Sequence, residues 1–150
     1  MSEHTKRKKP LYLHIGYPKT ATTVLQKHYY PRMQELQYLG IRYDHESRFS
    51  IPQAAVDSLV YADTAAAGEM GESVSEDLYK KMENSPALLS LEKIVGSFFT
   101  PRKTDDGKRV FTSPEEASRT IRALFSPELF DLKLIVTLRR QVDALPSKYA

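Results

Sequence analysis

The sequence predicts an α/β fold of three layers, in which a mostly parallel sheet has helices on both faces. Three short apolar runs, Leu11 to Gly16, Ala87 to Glu92 and Leu132 to Arg139, are typical of buried strands. Segments with helical periodicity or helix-start signals separate these runs. Strands that alternate with helices favour a parallel sheet covered on both sides.

The segment after the first strand predicts a helix that is interrupted at a proline. Leu25, Tyr29, Met33 and Leu36 recur at helical spacing. Pro31 lacks a backbone N–H, so we expect a kink or break near Tyr30. Gly40 ends the segment, and residues 41–43 read as a short second strand.

Two helices are predicted between residues 51 and 84. An Ala-rich stretch from Ile51 to Ala67 has Val56, Leu59 and Val60 on one side, and Gly68 and Gly71 follow it. Ser73 with Glu76 fits a capping box, which predicts that a second helix starts there and continues to about Asn84.

The last third of the chain predicts a loop, a helix, a strand and a final helix. Residues 93–112 contain Gly96, Pro101 and Gly107, and they form a long loop with room for a hairpin. Ser113 and Pro114, followed by two glutamates, are a strong helix start. The strand Leu132 to Arg139 comes next, and a last helix begins near Asp143.

The net charge of +3 belongs to the amino terminus. Lys6, Arg7, Lys8 and Lys9 against Glu3 account for all of it, so the other residues are neutral in sum. We therefore divide the chain into a basic flexible tail, residues 1–10, and a domain, residues 11–150. A neutral body argues against nucleic acid as a partner.

Composition excludes several further classes of protein. The chain contains no run of about 18 apolar residues, so we expect no membrane span. It has no Cys, which rules out disulfides and thiolate metal sites and favours a reducing, cytoplasmic location.

The segment between Gly16 and Thr23 is the strongest functional signal. A loop from the carboxyl end of a parallel strand to a helix amino terminus presents backbone amides to an anion, most often a phosphate. Lys19 adds a positive charge, and Thr20, Thr22 and Thr23 add hydroxyl donors. The pattern differs from the G-x-x-x-x-G-K-[ST] loop of ATP-binding proteins, since it lacks the second Gly and the Gly-Lys-[ST] end.

The stretch HIGYPKTATTVLQ resembles the 5′-phosphosulfate loop of sulfotransferases that use 3′-phosphoadenosine 5′-phosphosulfate (PAPS). The match consists of Pro18, Lys19, Thr20, Thr22 and Thr23, while Ala21 stands where the family usually has Gly. The resemblance implies a P-loop-like fold. It also implies that residues 19–23 bind the cofactor, Ala21 included, and that Lys19 is catalytic.

A second match lies about 120 residues further along the chain. In the same family a later strand ends in an Arg, and a Ser eight residues on binds the cofactor's 3′-phosphate with it. Arg139 and Ser147 have this spacing here, and Arg140 is an adjacent candidate. The fork of a guanidinium suits a phosphate because it donates two parallel hydrogen bonds.

The run LLSLE resembles the strand ending in S-x-E of a bacterial, carbohydrate-sulfotransferase-like branch. The resemblance implies that Glu92 is the general base and that the acceptor is a hydroxyl, with carbohydrate the leading class. No metal is needed, because Lys19 neutralises the leaving phosphate. A small-molecule kinase and a non-catalytic nucleotide-binding fragment remain as alternatives.

The family usually continues beyond the Arg and Ser motif. The resemblance thus implies that residues 11–150 are the amino-terminal part of a longer fold, truncated at the carboxyl end. We therefore expect weak cofactor affinity and little turnover from these residues alone.

Two further features have open interpretations. His14 lies within the first strand, where a packed or supporting histidine is favoured over a catalytic one. Lys93, Arg102, Lys103, Lys108 and Arg109 surround Phe98 and Phe99 and form either a lid over an anionic sugar or a solvated loop.

Overall fold

A four-stranded parallel sheet lies at the centre of the chain. The structure is a computed structural model that describes residues 7–16, 22–40, 50–82, 85–91, 102–103 and 106–137. The strands are β1 (Lys9–Gly16), β2 (Gln37–Tyr38), β3 (Ala87–Ser90), β4 (Arg102–Lys103), β5 (Arg109–Val110) and β6 (Phe130–Thr137). The sheet has the order β2-β3-β1-β6, and all its pairings are parallel. The predicted α/β class is therefore confirmed.

Helices lie on both faces of this sheet. They are α1 (Thr22–Val24), α2 (Gln53–Tyr61), α3 (Thr64–Lys81) and α4 (Pro114–Leu124). The last three share one apolar core with the side chains of Leu11, Leu13 and Leu89, which project from one face. His14 and Ser90 project from the other face, towards the helical segment that begins with α1.

The segment that begins with α1 is continuous but changes its helical type at the proline. A π-helical turn, Leu25–Tyr29, follows α1, and a 3₁₀ turn, Tyr30–Arg32, follows that. The amide of Tyr30 bonds to the carbonyl of Leu25, five residues back. The predicted interruption near Tyr30 is confirmed, and the wider turn makes room for the Pro31 ring.

The second strand does not lie where the sequence placed it. Met33 is already extended, so the helical face predicted to continue to Leu36 is wrong. Strand β2 follows at once, and its first amide, that of Gln37, bonds to the carbonyl of Pro86 at 2.8 Å. Residues 41–43, the predicted strand, lie outside the described residues.

The predicted boundary between the two middle helices is also wrong. Helix α2 ends at Tyr61, and Ala62 takes a left-handed conformation with φ of 52°. Helix α3 begins directly afterwards, where the Asp63 carboxylate accepts the amide of Ala66 at 3.0 Å. It then runs through Gly68 and Gly71, because packing of its apolar face outweighs their low helix propensity.

Helix α4 begins as the sequence predicts. Ser113 Oγ accepts the Glu116 amide at 3.2 Å, and Glu116 Oε2 accepts the Ser113 amide at 2.8 Å. This reciprocal capping box, with Pro114 in the first turn, satisfies donors that a helix start otherwise leaves unpaired. In the preceding loop β4 and β5 pair antiparallel, which confirms a hairpin there.

The amino-terminal boundary of the fold lies earlier than predicted. Lys9 and Pro10, which we assigned to the flexible tail, are the first two residues of β1. Lys9 Nζ donates to the carbonyls of Tyr79 at 2.9 Å and Met82 at 3.2 Å, where α3 ends. The Lys9 ammonium therefore complements the negative end of that helix and fixes the start of the strand.

Candidate functional site

The carboxyl ends of three neighbouring strands meet at one edge of the sheet. Strand β1 is central, and it pairs in parallel with β3 on one side and β6 on the other. These strands end at Gly16, Ser90 and Thr137. The expectation that all three ends lie on one edge is therefore confirmed, and ligands of open α/β sheets bind at such an edge.

The helices that cover the two faces of the sheet lie at different places in the chain. The first described helical segment after β1 covers His14, whereas α4, which lies between β3 and β6 in the sequence, packs into the core on the other face. Open α/β sheets bind ligands in the crevice outside the carboxyl ends of such strands. The crevice outside the ends of β1 and β3 is thus the candidate site.

A buried polar cluster lies directly beneath this crevice. His14 Nδ1 is 2.7 Å from Ser90 Oγ, and His14 Nε2 is 3.2 Å from Thr137 Oγ1. Gln26 Nε2 donates to the same Ser90 hydroxyl at 2.9 Å. His14 and Ser90 are fully buried and Gln26 is 1% exposed, so these bonds replace the water that the groups lose on folding. We call His14, Gln26, Ser90 and Thr137 the strand-end network.

Gln26 lies in the π-helical turn that follows α1. Gln26 and Tyr30 are four residues apart and face the sheet, where Gln26 bonds to Ser90 and the Tyr30 ring meets His14 edge-on. The ring centroids of His14 and Tyr30 are 5.2 Å apart, a favourable aromatic geometry. One short helical segment therefore covers the polar face of β1 and β3.

Hydrogen bonds engage both ring nitrogens of His14. Nδ1 bonds to Ser90 Oγ, which also accepts the Gln26 amide nitrogen, and Nε2 bonds to Thr137 Oγ1. The neutral ring donates through one of these nitrogens and accepts at the other. His14 is completely buried, as its interpretation as a packed residue predicts.

Burial shifts the pKa values of both rings in the cluster. Loss of water lowers the pKa of His14 below 6.5, because the charged imidazolium is the form that burial disfavours. The same cause raises the pKa of Tyr30 above 10.0. Both rings are therefore neutral near neutral pH.

The stability of the protein should depend on pH through His14. Its folded pKa is lowered, so the unfolded chain binds the proton more readily, and stability falls as pH drops below 6.5. Between about pH 7.5 and about pH 5.5 we expect the wild type to lose up to about 1.4 kcal/mol more than His14→Gln. Urea unfolding at both pH values measures this difference. His28→Gln, which removes an exposed histidine, is the control.

The residues predicted to bind and react lie mostly beyond the described strand ends. Lys19, Thr20, Ala21, Glu92, Arg139, Arg140 and Ser147 lie outside the described residues. The backbone of Thr22 begins α1, and Thr23 follows it with an exposed side chain. Of the basic loop, Arg102 and Lys103 form β4 and Arg109 begins β5. Lys108 forms an exposed ion pair of 2.8 Å with Asp106.

Sequence reasoning missed Gln26, Tyr30 and Thr137 as parts of one cluster. The polar residues that interrupt two apolar strands, His14 in β1 and Ser90 in β3, were the available signal. Buried polar side chains in neighbouring strands need partners, and those partners are what the structure adds.

Comparison of the chain with models of known families, with curated proteins and with solved structures finds no match. Among the described residues, no cluster of three or more His, Asp or Glu side chains could hold a metal ion. Within the same ranges, no helix is both long enough and apolar enough to span a bilayer.

Proposed function

We propose that the protein is a PAPS-dependent sulfotransferase with a P-loop-like fold, and that its acceptor is a carbohydrate hydroxyl. The observation that carries the proposal is the strand arrangement β3-β1-β6, with three parallel carboxyl ends side by side. Each of these ends is followed in the sequence by one of the motifs that resemble the sulfotransferase family.

The separations along the chain support a single site. Lys19 is three residues beyond the last residue of β1, while Glu92 and Arg139 are each two residues beyond the ends of β3 and β6. Consecutive Cα atoms are about 3.8 Å apart, so a few residues permit only a short departure from a strand end. Lys19, Glu92 and Arg139 therefore follow neighbouring strand ends on one edge of the sheet.

The chemistry divides among these residues as follows. The acceptor oxygen attacks the sulfur of PAPS, and the bond from sulfur to the bridging phosphate oxygen breaks. Glu92 takes the proton of the acceptor hydroxyl, and adenosine 3′,5′-bisphosphate leaves. Lys19 neutralises the charge that develops on the leaving phosphate, with the hydroxyls of Thr20, Thr22 and Thr23 as further donors. Arg139 and Ser147 hold the 3′-phosphate.

Binding of adenosine 3′,5′-bisphosphate tests the cofactor site. We expect Lys19→Ala and Arg139→Ala each to weaken binding about tenfold or more, because each removes a charge-assisted contact to phosphate. Titration calorimetry at high nucleotide concentration measures the loss. Lys80→Ala in α3 and Arg119→Ala in α4 remove exposed charges of the same kind from helices and should bind as the wild type does.

Transfer of labelled sulfate from PAPS to a panel of carbohydrates tests the reaction itself. Glu92→Gln should bind the nucleotide normally but lose transfer, since glutamine has the size of the base without its proton affinity. Magnesium-dependent turnover of ATP without sulfate transfer would identify a kinase and contradict the proposal. Nucleotide binding without a sulfated product would leave a binding module.

A further inference from the structure

Ser90 is the central residue of the strand-end network. Its hydroxyl accepts a hydrogen from Gln26 at 2.9 Å and lies 2.7 Å from His14 Nδ1, so it bonds to two buried side chains. His14 passes the connection on to Thr137. One buried hydroxyl therefore links the helical segment after β1 with the ends of β3, β1 and β6.

The network is continuous across four side chains. Gln26 donates to Ser90 Oγ, and His14 bonds to Ser90 through Nδ1 and to Thr137 through Nε2. Each donor in this buried series finds its acceptor, and loss of one member would leave its neighbours unsatisfied and without water. A network of this kind holds its members in one arrangement.

The network acts where the main-chain pairing of β1 and β3 ends. The amide of Leu91 bonds to the carbonyl of His14 at 2.9 Å, one residue beyond the last paired position of β3. Strand β1 continues to pair with β6 as far as Gly16 and Thr137. His14, Ser90 and Thr137 are the side chains that the structure joins across all three strands at this level.

We propose that Ser90, through His14 and Gln26, is the positioning residue that fixes the ends of β1, β3 and β6 relative to one another. The consequence for ligand binding rests on the proposed function, in which each strand end leads into one part of the cofactor and acceptor site. Ser90 touches neither the cofactor nor the acceptor in this scheme. It sets the separation of the groups that do.

A ligand-free measurement tests the positioning role. In Ser90→Ala we expect the amide of Leu91 to exchange with solvent about tenfold faster relative to Leu89 in the middle of β3, because local opening at the strand end becomes easier. The matched control is Ser58→Ala, which removes another buried serine hydroxyl with one hydrogen bond, to the carbonyl of Ala55 in α2. It should leave the ratio of the two exchange rates unchanged.

Two variants of His14 test its bond to Ser90 and its bond to Thr137 separately. Neither test requires Ser90→Ala to fold. His14→Asn presents a polar atom near the position of Nδ1, so it should keep the protection of Leu91 and loosen the end of β6. His14→Gln presents one near Nε2 and should do the opposite.

The outcomes distinguish this proposal from the proposed function. Equal changes in the exchange ratio in Ser90→Ala and Ser58→Ala would overturn the positioning role. Failure of the wild type to bind adenosine 3′,5′-bisphosphate would overturn the proposed function and leave the exchange result standing. If the nucleotide binds, Ser90→Ala should weaken it about tenfold while Ser58→Ala does not.

Discussion

Replacing Gly71 by alanine is expected to lower the free energy of unfolding by about 1–3 kcal/mol, although alanine is the better helix former. Gly71 is buried in α3 at the point where α4 crosses it. A Cβ atom there would overlap the carbonyl oxygen of Ala123, a main-chain atom that cannot turn aside. The two helices would have to separate.

Gly68 provides a matched control on the same helix. It lies three residues earlier, it is exposed, and a Cβ atom there would meet nothing within 4 Å. Gly68→Ala should therefore stabilise the protein by about 0.5–1 kcal/mol through helix propensity alone. Urea unfolding of the two variants gives the comparison. Equal stability of both would show that α3 and α4 do not approach each other as closely as the structure indicates.

The same pair of glycines shows why one part of the fold was predicted wrongly. On the sequence Gly68 and Gly71 read as the end of a helix, because glycine is a poor helix former. The actual break lies at Ala62, where a non-glycine residue has positive φ and Asp63 caps the next helix. Gly71 lies within α3 because α4, which is distant in the sequence, packs closely against it.

Elements with strong local signals were predicted well. The apolar runs of β1, β3 and β6 are buried or paired strands, and the capping box of α4 forms as its residues indicate. Strand β2 was not predicted in its place, because two residues that pair with β3 carry no periodic pattern of their own. Its position is set by pairing with β3, which is distant in the sequence, so the local sequence does not predict it.

The sequence likewise predicted some features of the candidate site and missed others. The alternation of strands and helices was enough to predict that β1, β3 and β6 end on one edge. The sequence also marked His14 as a supporting residue. It could not show that Gln26 contacts Ser90, because the two residues are 64 positions apart in the sequence. Burial and long-range geometry, rather than residue type, bring the strand-end network together.

Replacing Ser75 by alanine is expected to cost about 2–3 kcal/mol of stability, a large effect for the loss of one oxygen atom. Ser75 is fully buried in α3, one turn after Gly71. Its hydroxyl donates to the carbonyl of Leu124 at 2.9 Å and accepts the amide of Ser126 at 2.9 Å. Both main-chain groups lie at the carboxyl end of α4, where the helix itself offers no partner to the carbonyl.

Ser73→Ala is the control, because Ser73 lies on the exposed side of the same helix. It should change the free energy of unfolding by no more than about 0.5 kcal/mol. Denaturant unfolding of the two variants should give the same slope, so that a shift in midpoint reports stability alone. A Ser75→Ala variant as stable as Ser73→Ala would mean that water replaces the lost hydroxyl, and that the end of α4 is open to solvent.

The Ser75 contact also connects the core to the candidate site. Ser126 begins the turn that leads into β6, and its carbonyl accepts the amide of Phe130, the first residue of that strand. Strand β6 is eight residues long and ends at Thr137, within the strand-end network. If Ser75→Ala lets this turn shift, the Thr137 end of β6 should loosen together with its start. Amide exchange along β6 would then rise at both ends in Ser75→Ala, whereas in Ser73→Ala it should remain at the wild-type rate.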